Sequence, residues 1–118
     1  MQFAFRSPQF PVIVNAERVL FAAHTPEELE RRFSEHSVPR NLKPLIIDST
    51  AEVFLLHEHV VLPSLQRRRT KAAIIKVYND NRPNNLRAYP ITSLGSKPVQ
   101  RVISDLVSLL TESESGAL

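Results

Sequence analysis

A chain of 118 residues, 42% of them hydrophobic, can bury one core of its own and is too short for two. It has no cysteine, which excludes disulfides, thiolate chemistry and cysteine-ligated zinc, and its two glycines, Gly95 and Gly116, leave no glycine-rich phosphate loop. The formal charge of +3 is modest but lopsided, because residues 1–59 carry 6 Lys/Arg against 8 Asp/Glu and residues 60–118 carry 9 against 4.

Between Leu62 and Arg101 lie all nine of those later cations and one acid, Asp80. Such asymmetry points to an acidic partner. The first residues lack the basic segment and apolar run of a secretory signal, and no apolar stretch reaches the ~18 residues of a membrane span. A cytoplasmic protein without membrane association is expected.

In chain order, the apolar runs Phe10–Asn15 and Arg18–Ala23, joined by Asn15-Ala16-Glu17, read as a β-hairpin. Pro8 and Pro11 keep the preceding segment from pairing centrally. Thr25 as N-cap, Pro26 at the first position and Glu28 placed to return a bond to the cap predict a helix to about His36, with Leu29 and Phe33 facing the core. Residues 38–44 form a linker. Leu45-Ile46-Ile47 then reads as a buried strand, Asp48-Ser49-Thr50-Ala51 as a turn, and Glu52 to Leu56 as a returning strand that is apolar on both faces and so internal.

Thr70 is a second N-cap, predicting a helix over 71–79 that Asn79 or Asn81 ends in the left-handed region. The alternative is a strand, since Ile74, Ile75, Val77 and Tyr78 are β-branched or aromatic and Pro83-Asn84-Asn85 can turn it back into Leu86–Ile91. Residues 80–96 are turn-rich, with a short strand at Leu86–Tyr89. After Ser96 as cap, Val99, Val102, Ile103, Leu106, Val107 and Leu110 give the spacing of an amphipathic helix over 98–112. The expected whole is one α+β domain over 1–112 with a frayed tail at 113–118. Its antiparallel sheet, of two or more hairpins near 10–23 and 44–59, is covered on one face by about three helices.

Catalysis finds little support. His57-Glu58-His59 in a strand projects both imidazoles to one side, making His57 and His59 weak candidates for half of a zinc or iron site. Completion falls to His24, His36, Asp48 or Glu52, and a bare His-x-His is common by chance. There is no glycine-flanked serine for a nucleophile elbow, and Asp48 with Glu52 are ordinary turn residues. Neither an enzyme nor a cofactor is expected.

Binding is better motivated. Arg67, Arg68, Arg69 and Lys71 crowd the positive end of the helix begun by Thr70, where the macrodipole disfavours cations, so local stability does not account for them. With Lys76, Arg82 and Arg87 they make a candidate site for an anion or a partner's carboxylates; the plainer reading is a solvated charge run. The favoured function is a non-catalytic interaction protein engaging an acidic protein. The alternatives are a non-sequence-specific nucleic-acid module, with Tyr78 and Tyr89 as stacking aromatics, and a metal-dependent enzyme using the His-Glu-His segment.

The run Asp48-Ser49-Thr50-Ala51-Glu52 on to Pro63, then Arg68-Arg69-Thr70-Lys71 and Tyr78-Asn79, resembles a pattern in small uncharacterised bacterial proteins. In those a hairpin leads into a basic-Trp-Thr-Lys segment and a short helix ending in Tyr-Asn. Here Arg69 stands where the tryptophan would. The resemblance covers about a third of the chain, implies a bacterial origin and a helix from Lys71, and implies no activity.

Overall fold

The computed structural model of the chain describes residues 1–17, 19–36, 44–64, 68–90 and 97–115, with side chains to Thr111. Six strands, β1 (Gln2–Phe3), β2 (Val12–Ala16), β3 (Val19–Ala23), β4 (Leu45–Ile47), β5 (Val53–His57) and β6 (Val60–Pro63), form one sheet in the order β1-β6-β5-β4-β2-β3. All neighbours run antiparallel except β1, which lies parallel to β6 at the edge. Among the described residues three helices, α1 (Pro26–Glu35), α2 (Lys71–Asn81) and α3 (Val99–Ser115), accompany the sheet. The α+β class holds, and Lys71 onward is helix rather than strand.

Both faces of the sheet are covered, not one. Val12, Val14, Phe21, Ala23, Ile46, Phe54, Leu56 and Val61 pack with Leu29 and Phe33 of α1. The intervening Ile13, Leu20, Ala22 and Ile47 face the other way, onto Ile74, Ile75 and Tyr78 of α2 and Val102, Ile103, Leu106, Val107 and Leu110 of α3. The apolar runs Val12–Val14 and Val19–Ala23 are the cause, because a strand without polar alternation needs cover on each side.

Local expectations meet mixed outcomes. Thr25 caps α1, its Oγ1 accepting from Glu28 N at 3.1 Å, but Glu28 spends its carboxylate on Arg32 and His24 rather than on the cap. Helix α2 ends not in a left-handed asparagine but at Arg82, held extended (φ −61, ψ 150) ahead of Pro83. No strand forms at Leu86–Tyr89; Tyr89 instead turns into the core. Val60–Pro63 is a strand that the sequence reading passed over, joined to β5 through Glu58-His59. The expected linker at 38–43, the Ser96 cap and residues 116–118 of the tail lie outside the described residues, while α3 continues to Ser115.

Candidate partner-binding site at the start of α2

The end of the sheet where β4 turns into β5 fixes where α2 begins. Asp48 is buried, its Oδ1 accepting from Thr50 N, Thr50 Oγ1 and Glu52 N at 2.9, 2.7 and 3.0 Å, and its Oδ2 from Gln9 N at 3.0 Å. That rigid loop presents Ala51 O, which accepts from Arg69 N at 3.0 Å. Thr70, extended at φ −74 and ψ 159, then opens the helix, its Oγ1 taking Ala73 N at 3.2 Å.

The first turn of α2 contains no acidic side chain. Arg68 is exposed, Arg69 is half-buried with Nε enclosed and without a hydrogen-bond partner, and Lys71 Nζ donates to Lys97 O at 2.7 Å. Arg67 lies outside the described residues. The other candidates stand elsewhere. Lys76 pairs with Asp80 at 2.7 Å on the open face of the helix. Arg82 closes the C-terminal end, donating to Asn79 O and, at 2.9 Å, to Leu86 O. Arg87 is exposed beyond it, its carbonyl accepting from Tyr78 OH at 3.0 Å. Since α2 has 11 residues, its ends are about 16 Å apart. Arg68, Arg69, Thr70 and Lys71 thus form one group, and Arg82 with Arg87 another.

Tyr78 and Tyr89 do not offer rings to a ligand, being 1% and 6% exposed. Burial pushes both phenols above their ordinary value. His57 ends β5 and His59 sits in the hairpin turn, so they do not share a strand face. Among the described residues no group of three His, Asp or Glu is placed to hold a metal ion.

A second polar cluster escaped the sequence reading. Tyr89 is clamped by Asn79, whose Oδ1 takes Tyr89 N at 2.8 Å and whose Nδ2 donates to Tyr89 O at 3.2 Å. Its hydroxyl donates to Asp105 Oδ2 at 2.7 Å, where Lys97 Nζ also donates at 2.8 Å, and Arg101 Nε lies 3.3 Å from Oδ1. Burial raises the Asp105 carboxyl, but the bonds from Lys97 and Tyr89 outweigh it and hold it below its ordinary value; the bonds Lys97 makes to Asp105 and to the Tyr89 hydroxyl raise Lys97. Arg87, Tyr89, Pro90, Asp105, Ser108 and Leu109 border an open cleft of about 490 Å³ here. With Asp105 bonded from both sides, the cluster reads as a brace between the segment after α2 and α3. Only the Arg101-to-Asp105 spacing along α3 signals it in sequence.

No family model, curated protein or solved structure matches the chain. Among the described residues no helix is long and apolar enough to cross a membrane.

Proposed function

We propose that the chain is a non-catalytic binding domain that engages an acidic protein partner through Arg68, Arg69 and Lys71 at the start of α2. The observation that carries this reading is the first turn of that helix, which contains no acidic residue while Arg68, Arg69 and Lys71 gather at its positive end. Such a placement costs the isolated helix a few tenths of a kcal/mol per charge. A partner's carboxylates would recover it through charge-assisted hydrogen bonds to guanidinium groups. A protein partner is favoured over nucleic acid because the two tyrosines are interior, which removes the stacking platform that single strands use.

Fluorescence anisotropy with a labelled polyglutamate peptide and a labelled oligonucleotide tests the reading. The peptide is expected to bind, to weaken with salt, and to lose about tenfold in affinity in Arg68→Glu. Tighter binding of the oligonucleotide, or no binding of the peptide at low salt, would overturn it.

A further inference from the structure

Phe5 is 91% exposed, the one large hydrophobic side chain so placed among the described residues. Its backbone is left-handed, at φ 70, a conformation that costs a bulky non-glycine residue and that packing does not repay here. Its neighbourhood is the end of the sheet from which α2 departs. Next to it, Arg6 pairs with Glu52, and its guanidinium carbon lies 6.0 Å from the centre of the Phe54 ring. Glu52 follows Ala51, whose carbonyl holds Arg69 N. Residues 5–6 thus meet residue 52, and residue 69 meets residue 51, at the end of the sheet where β4 turns into β5.

We propose that Phe5 is the apolar anchor of the surface whose charges are Arg68, Arg69 and Lys71, so that the partner is an acidic polypeptide bearing apolar side chains. This rests on the acidic-partner reading above. An aromatic anchor beside arginines is the composition from which interface hot spots are made. One exposed ring gives no ladder for successive bases, so a polypeptide is the occupant the chemistry fits.

Two labelled ten-residue peptides decide it, one of Glu and Ser alone and one with two of the serines replaced by Leu. The wild-type chain should prefer the Leu-containing peptide by about tenfold. Phe5→Asn, which tolerates the left-handed backbone, should erase that preference, keep the Glu/Ser affinity, and melt no lower than wild type. Retention of the preference in Phe5→Asn overturns the anchor and leaves the acidic reading standing. Failure of both peptides to bind the wild type overturns the acidic reading and the anchor with it. Tighter binding of a ten-nucleotide single strand, lost in Phe5→Asn, would give the surface to nucleic acid and overturn the polypeptide partner.

Discussion

Asp48 and Asp105 each gather hydrogen bonds from more than one segment, but they are built from different materials. Asp48 is 1% exposed, and three of its four contacts come from residues within four positions of it, mostly backbone amides. Asp105 is partly open and is held by the side chains of Tyr89, Lys97 and Arg101. The first network shapes the β4–β5 loop, and through Ala51 it places Arg69 and the start of α2. The second braces elements already formed. A buried carboxylate that feeds backbone donors is therefore the stiffer of the two, and the candidate binding residues stand on the stiff side.

The sharpest way to break this contrast is Asp48→Ala, which leaves three part-buried N–H groups without this acceptor and should cost about 3 kcal/mol in urea denaturation. Asp48→Asn should cost less, since one oxygen still serves Thr50 and Glu52 while its amide opposes only Gln9 N. On the other side, Tyr89→Phe removes the hydroxyl that donates to Asp105 and accepts from Lys97 at 3.2 Å, and should cost about 1 kcal/mol, measured the same way. Equal losses at Asp48 and Tyr89 would erase the distinction.

The smallest effect is a pH slope outside both networks. His36 stacks on Phe21 with ring centres 4.6 Å apart, and burial, aided by Arg32, holds its pKa below the ordinary 6.5. The unfolded chain therefore takes the proton first, so this contribution is full above about pH 6.5 and is lost as pH falls toward the folded value. His36→Phe should keep the stack and flatten the stability profile between pH 5 and 7, by roughly the span in which imidazole titrates. An unchanged slope would place the effect elsewhere.

Much of the frame was legible because its signals are local. Thr25-Pro26 and Thr70 announce α1 and α2, the spacing of Val99 to Leu110 announces α3, and Asp48-Ser49-Thr50 announces the β4–β5 turn. What was not legible depended on unusual backbone. The β5–β6 hairpin turns on Glu58 at φ 59, a position where glycine or asparagine would have flagged a tight turn. Without that flag, His57-Glu58-His59 read as strand and Val60–Pro63 was missed. Tyr89 misled for another reason. Its segment is polar and turn-rich, and only the pairing with Asn79 and Asp105, residues distant in sequence, turns the ring inward. The basic residues look continuous along the chain, yet α2 carries Arg82 and Arg87 to its far end.

The most direct test of the central claim is a titration of the isotope-labelled chain with polyglutamate, followed by amide chemical shifts in two-dimensional NMR. The account predicts that the amides of Arg68 to Ala72, with Phe5 and Arg6 beside them, move first and saturably, while those of Arg82 to Arg87 stay in place. Movement confined to Arg82–Arg87, or spread evenly over every cation, would contradict it.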